Sequence, residues 1–517
     1  AVDDYGNVLQ RTQTHDTGFG VSKLVDTYRF TPADTHQWWL DRLETHTHTQ
    51  YGLTMRVGMI DIDELNEIDA PKTLTQDRTW DTKHRKVSKL TRHATFDVPH
   101  KTTQYDYDEY GNIDEIAHTA PTASTASTAA SSQQETRTTT FTYDVDGYFV
   151  VQEDNDYFTQ RYQQVSPSHG QVQWQADANG VYTHYEHDEF GRLIRTQAAG
   201  QPAQYQALQW CAGATQDMFQ TCPARAVYRQ VSTQQGTPYH VQYHDILGRV
   251  VQSRSARFDS TQAQAFSMTW QSFNRLGQVV FSANPSSVDT YLAPERAKGS
   301  HYYDYDVLGR PTRKIQDITA TRDMQINYRY GEGPYGGFST TIAVNGQEMS
   351  RTYNGAGQLM QTTDALAGVT RYAYDGAGNL IVLEDANGQR IRSRYDALGQ
   401  KRRVDDPNMG VQTFTYNGFA ELISQRDANG NTTSYGYDRL GRQTQRRVQG
   451  PNEDSTHHFV FDKPSRLAYV NNTPHNLCYG AMAQEYVTET SALDNTQTTP
   501  QYLRHYAYDN LCRIKHD

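Results

Sequence analysis

The chain of 517 residues holds 48 Lys and Arg against 59 Asp and Glu, a formal charge of −11, so its charge gives no reason to expect nucleic acid or an anionic membrane as partner. Apolar residues make up only 36% of it and the mean hydropathy is −0.82, below the ~45–50% apolar content of ordinary globular domains, which excludes one close-packed ball around an oily centre. Disorder is excluded in turn by 36 tyrosines and a charged fraction of only 21%, because disordered chains are poor in aromatics and rich in net charge.

No run approaches the ~18 apolar residues of a membrane span, and no charged-apolar-small signal segment opens the chain. The start at Ala1-Val2-Asp3 is read as that of an excised or processed portion of something longer. Residues 1–118 are expected to be a β-rich section of degenerate repeats, from Asp3-Asp4-Tyr5-Gly6-Asn7 to Tyr107-Asp108 with Tyr110-Gly111-Asn112. Within it, His46-Thr47-His48 puts two imidazoles on one side of a strand, which could bind a transition metal given a third ligand. No further ligand is tied to the pair by spacing, and with nineteen histidines in the chain a fortuitous pair is the better account; no metal site is assigned. Lys83, His84, Arg85, Lys86, Lys89 and Arg92 form one basic cluster, read as solvated charge.

Residues 119–140 read as a Ser/Thr/Ala-rich loop or linker. Residues 141–352 hold irregular copies: Tyr143-Asp144 with Gly147, His187-Asp188 with Gly191-Arg192, His244-Asp245 with Gly248-Arg249, Phe273-Asn274 with Gly277-Gln278, and Tyr305-Asp306 with Gly309-Arg310. Their uneven spacing implies inserted loops that plug, decorate or project from the main structure. Cys211 and Cys222 bracket one such loop and are a candidate disulfide if the protein matures outside the cytosol, and two buried thiols otherwise. Ser287 to Ala297 is expected to hold a short helical insertion. His240 with His244 repeats the imidazole pairing at longer spacing. Gly331 to Gly336 formally satisfies a dinucleotide pattern, but a strand rather than a helix follows, so these are loop glycines.

Residues 353–446 are regular. Tyr353-Asn354-Gly355-Ala356-Gly357, Tyr374-Asp375-Gly376-Ala377-Gly378, Tyr395-Asp396-Ala397-Leu398-Gly399, Tyr416-Asn417-Gly418-Phe419-Ala420 and Tyr437-Asp438-Arg439-Leu440-Gly441 recur at steps of 21 residues. The Asp or Asn can accept backbone N–H groups two residues on, and the glycine three places later can take positive φ, so each is a turn between strands. Before the turn, Thr370, Tyr372 and Tyr374 alternate with Arg371 and Ala373, the period of a strand. Asp385-Ala386-Asn387-Gly388 and Asp427-Ala428-Asn429-Gly430 supply a second turn, Asn-Gly favouring a tight hairpin. One unit is therefore one β-hairpin. Residues 447–517 hold degenerate copies, at Phe461-Asp462 and Tyr508-Asp509, and two isolated cysteines, Cys478 and Cys512.

Hairpins laid side by side at ~4.8 Å would make a sheet far wider than ~100 Å, which must coil, close or split into layers. The inward candidates include Ser393, Gln412 and Thr433, too polar for packed layers. The expected fold is all-β, a large spiralling sheet that forms a hollow shell or part of one, held by tyrosines stacked across neighbouring strands at ~0.2–1 kcal/mol per pair.

The motif Tyr-Asp-x-x-Gly-[Arg/Asn/Gln]-[Leu/Val] at 21-residue steps resembles the YD repeats of the RHS family, which includes bacterial polymorphic toxins, the B and C components of insecticidal toxin complexes, and animal teneurins. The opening stretch, Asp4 to Leu9 with Trp38 to Leu43, is similar to segments of toxin-complex B and SpvB-like relatives. The resemblance implies a non-enzymatic β-shell of a secreted or cell-surface bacterial toxin, enclosing a C-terminal toxic polypeptide from the same longer chain or a companion, with other toxin-complex or secretion-system components as partners. It implies no cofactor. The family's cleavage core is not found: Asp406-Pro407-Asn408-Met409-Gly410 is faintly similar to its signature but occupies the second-turn slot of a repeat. Two rivals are a surface adhesin or carbohydrate-binding module presenting tyrosine faces, and a polysaccharide-acting enzyme. No Gly-x-Ser-x-Gly or His-Glu-x-x-His motif occurs, the repeated Asp residues have a turn-forming duty, and no catalytic residue is assigned.

Overall fold

The computed structural model describes residues 1–16, 20–36, 39–55, 71–94, 100–122, 134–156, 159–177, 180–211, 221–257, 266–288, 297–318, 323–333, 337–451, 454–461, 469–470, 473–474, 482–490, 498–505, 507–508 and 514–516. Among the described residues every regular element is a strand, and 37 strands join into one sheet. Pairing is antiparallel and almost throughout strand to next strand along the chain, from Gln10–Asp16 against Gly20–Phe30 to Met482–Thr490 against Thr498–His505, with local departures around Ser286–Val288 and after Asp454–Phe461. This is the topology that a chain of consecutive hairpins dictates.

Both turns of each repeat share one construction. In the first, the Ala377 and Asn379 N–H groups donate to Asp375 Oδ1 at 3.0 and 2.9 Å. Gly378, at φ 90°, donates to the Asp375 carbonyl at 3.0 Å. The second turn was expected to be a tight Asn-Gly hairpin and is not. Asn387 and Gln389 donate to Asp385 Oδ1 at 2.9 and 2.8 Å, and positive φ falls on Gly388 but not Asn387, whereas a two-residue Asn-Gly turn needs it at both. The aspartate two residues earlier decides the turn, because its carboxylate captures two backbone donors at once. Asp406 likewise caps an exposed turn through the Asn408 and Met409 N–H groups.

The tyrosines also hold the sheet differently from expectation. Successive motif tyrosines stand two strands apart, about 9.6 Å at the usual strand spacing, too far for ring stacking. Instead the hydroxyl reaches back one unit: Tyr374 donates to Leu359 O at 2.9 Å, Tyr437 to Leu422 O at 2.8 Å, Tyr143 to Ile113 O at 3.0 Å, and Tyr305 to Val279 O. Stacked rings do occur elsewhere, as Phe338 on Tyr353 at 4.9 Å.

Residues 119–121 and 134–140, expected within a loop or linker, are paired strand ends of one hairpin, Thr119 opposite Thr136 and Pro121 opposite Gln134. β-branched threonine suits a half-buried strand; residues 123–133 between them lie outside the described residues. Ser287 and Val288, expected to open a short helix, pair instead with Ser267 and Phe266. They complete the edge of strand Phe266–Phe273 that Val279–Ala283 covers only in part; residues 289–296 lie outside the described residues, as do Cys478, Cys512, Asp462 and Asp509.

Among the described residues most strand positions are half-buried and few are fully buried, as in a sheet with both faces largely open. One local apolar core exists among the described residues, Val231, Val241, Tyr243 and Val251, with Cys211 and Cys222 packed on it.

Candidate functional site

What distinguishes this sheet is that it meets itself. The N–H of Gly418 donates to Pro121 O at 2.9 Å, and the Arg137 guanidinium grips Glu421, 284 residues away, through Nη1–Oε1 at 2.7 Å and Nη2–Oε2 at 3.1 Å. That guanidinium lies 3.8 Å from the Phe419 ring centre, and Lys72 Nζ stands 3.9 Å from Asp375 Oδ2. In a sheet whose strands pair with near neighbours in sequence order, such contacts require that the sheet has wound through a full circuit. The turn edge of the later repeats then seats on the opposite edge of the first strands. Some two dozen strands separate the two sides, a circuit of about 115 Å, or about 37 Å across if circular, at the usual spacing.

The seam explains residue choices inside the motif. A Cβ on Gly376 would come within 2.7 Å of Lys23 O, and one on Gly418 within 2.7 Å of Ala120 Cβ, so the third motif position must be small there. Ala397, in the same position, is buried. Upstream copies carry Glu109, Glu189, Ile246, Arg275 and Val307 in that position, and their turns are open: Tyr110, Phe190, Leu247, Leu276 and Leu308, in the fourth position, are between 67% and 83% exposed. In the seam Leu398 and Phe419 are half-buried. Burial pushes the Lys72 and Lys101 ammonium groups down from their usual range, with nearby Arg92 and Arg137 adding to the effect on Lys101. Burial opposes the charge of Arg137, but its bonds to Glu421 and Glu135 outweigh that and raise its pKa.

A second regularity lies within each turn. Asp is followed four residues later by a donor that serves its second oxygen: Arg192 on Asp188, Arg249 on Asp245, Arg310 on Asp306 and Arg442 on Asp438, or Asn379 on Asp375. Where Asn replaces Asp, the amide donates to an acceptor at that same position: Asn354 Nδ2 to Gln358 Oε1 at 2.8 Å and Asn417 Nδ2 to Glu421 Oε2 at 2.7 Å. Asp396 finds its donor in Arg402, at 2.8 Å. Every motif Asp or Asn of the regular tract is thereby committed to holding a turn, which leaves no free carboxylate pair of glycosidase type among them.

The RHS Repeat family profile matches residues 353–390 and 421–450. These two stretches, almost wholly within the regular tract, carry RHS repeats. No curated protein matches it in sequence. It resembles the solved structure of TcdB2-TccC3 (TM-score 0.55, 11% identity, 98% of this chain and 34% of that one) and that of TcdB2-TccC3-TEV (TM-score 0.57, 11% identity, 98% and 38%). It also resembles a Photorhabdus luminescens Tc holotoxin pore carrying a TccC3 variant (TM-score 0.54, 12% identity, 95% and 34%). At such identity the likeness shows the fold, and this chain spans little more than a third of those chains.

Of the site residues named from sequence, Gly357, Gly378, Gly399 and Gly441 take positive φ, and Ala420 does so without glycine's freedom, at φ 71°. Tyr395 and Tyr416 sit under Lys401 and Arg402. Cys211 and Cys222 are bonded, with Cα atoms 5.8 Å apart. Near the bond, Arg254, fully buried, donates to Thr221 O, Tyr243 Oη and Gln252 Oε1. His240 and His244 go separate ways, to Ser255 Oγ and to Gly248 O. His46 and His48 instead meet Asp26, a residue that the sequence reading missed because only the strand register, Asp26 opposite His48, brings it there. Burial works against the Asp26 charge, but the bonds from His48 and His46 outweigh it and hold the carboxyl below its usual range.

Proposed function

We propose that this RHS chain is a segment of the wall of a secreted toxin container, a non-enzymatic shell around a polypeptide carried by the same longer chain or a companion. The observation that carries this reading is the seam: a sheet that winds onto itself and locks edge to edge encloses volume, whereas an open sheet would not. The bore supports the choice of occupant. With side chains on the inner face, a ~37 Å circuit leaves roughly 27 Å clear, narrower than the ~34 Å diameter of a 100-residue folded domain, so the contents are held extended or partly unfolded. The Cys211–Cys222 bond favours maturation in an oxidising compartment. The open turn edge lined by Phe190, Leu247, Leu276 and Leu308 is equivalent to the edge that is covered at the seam, and so is where another winding of the container, or a companion component, joins.

Protease challenge of the full-length protein tests this. A segment protected in the native protein should become digestible in Gly418→Trp, whose side chain wedges the seam open while leaving strand pairing within each winding. Protection that survives seam opening, or no protected segment at all, would overturn the container reading.

A further inference from the structure

We propose that Asp26, His46 and His48 form a binding site for a divalent transition ion of the zinc type. His46 Nε2 lies 2.9 Å and His48 Nδ1 2.7 Å from the same oxygen, Asp26 Oδ1. All three candidate ligand atoms fall within 4.8 Å of one another, a cluster that one ion can bridge by a modest opening of the ring nitrogens. Both imidazoles come from strand Leu43–Met55, two residues apart, and the carboxylate from Gly20–Phe30. Two rigid neighbouring strands therefore fix the donors, which is the preorganisation a metal site requires.

Three further observations point the same way. The Tyr28 ring stacks on His46 at 4.6 Å with planes 6° apart, fixing that imidazole's orientation as an outer layer does in metal sites. Gln50, on the same face of the same strand beyond His48, is 5% exposed and its Oε1 has no hydrogen-bond partner, so an uncommitted oxygen donor lies beside the cluster. The side chains of His46 and His48 remain 24% and 25% exposed, which leaves one side open for ion entry and a water ligand. Two nitrogens and one carboxylate suit zinc, copper, nickel or iron over calcium or magnesium, which prefer all-oxygen shells. Binding needs only that each imidazole shift its proton to the ring nitrogen facing away, so that a lone pair faces the ion and the Asp26 charge offsets part of the ion's own.

The test is titration of the metal-stripped protein with zinc chloride by calorimetry, repeated with cobalt, whose visible spectrum reports nitrogen and oxygen coordination. One equivalent is expected, weakened at least 10-fold in His48→Ala and in His46→Gln, and unchanged in His93→Ala/His100→Ala, which removes another close imidazole pair. Circular dichroism of the variants separates lost binding from lost folding, and His46→Gln keeps a hydrogen-bonding side chain at that position so that the arm stays informative if His48→Ala misfolds. Absence of a stoichiometric site, or a site indifferent to both substitutions, would overturn the proposal.

Discussion

Replacing Asn417 by Asp changes one atom, and the structure gives it a large and distinctive cost. Asn417 is buried, and its amide donates to Glu421 Oε2 at 2.7 Å. In the variant two carboxylate oxygens face each other across that distance. At an effective dielectric of ~20 and ~3 Å the repulsion alone would be about 5 kcal/mol. The pair escapes part of it by taking up a proton, and lifting one carboxyl from ~4 to 7 costs about 4 kcal/mol. Arg137, already bound to Glu421, lowers the figure further, so about 2–4 kcal/mol is expected at pH 7, which corresponds to roughly 30- to 900-fold faster exchange of local amides. Because the folded variant binds a proton that the unfolded chain does not, its deficit grows as pH rises from about 4 towards neutrality and shrinks on acidification. Asn354→Asp is the internal control. Its partner is Gln358, whose amide can rotate to donate where Glu421 cannot, so the change should be mild and independent of pH. Hydrogen exchange at the Phe419 and Glu421 amides, and at Ala356 and Gln358, at pH 5 and 7.5 separates the two. Equal effects at both sites, or an Asn417→Asp effect that ignores pH, would refute the pairing rule.

Ala420→Gly and Ala367→Gly should each stabilise, against the usual trend. Both alanines sit at positive φ, 71° and 64°, where a Cβ costs ~1–2 kcal/mol, so a net gain of about 0.5–1 kcal/mol remains after glycine's greater freedom in the unfolded chain; hydrogen exchange of the two turns measures it. Tyr374→Phe removes the hydroxyl that serves Leu359 O and should cost ~1 kcal/mol, read as faster exchange in strands Leu359–Thr363 and Val369–Tyr374. Stability should hold from pH 7 to 5 and fall below about 4. The turn carboxyls of Asp245 and Asp306 lie below their usual range because Arg and backbone donors outweigh desolvation, so their contribution is present above the unfolded value of ~3.9 and is lost as acid protonates them. A main loss between pH 7 and 5 in denaturant titrations would instead implicate histidines.

The repeat, its strands and its first turn were legible because each is local: a period of 21, alternation of side chains, and an Asp or Asn three residues before Gly. The pairing of Asp with a donor and Asn with an acceptor four residues on was equally visible, in Asp438 with Arg442 and Asn417 with Glu421, as was the run of small residues Gly376, Ala397 and Gly418. Their meaning was not visible, because which turn meets which strand depends on the pitch of the winding, and no short-range rule sets that. Asn387-Gly388 misled because the Asn-Gly preference describes an isolated two-residue loop, while Asp385 upstream outcompetes it. Asp26 was hidden by register, and the buried Arg254 by partners as far apart in sequence as Thr221 and Tyr243.

Small-angle scattering of the purified protein tests most directly whether a curved wall surrounds open volume. A compact protein of this length has a radius of gyration of about 24 Å. A wound wall should give a value well above this, with a distance distribution depleted at short separations, and seam variants such as Gly418→Trp should raise it further. A radius near 24 Å with the profile of a filled globule would contradict the winding and everything proposed from it.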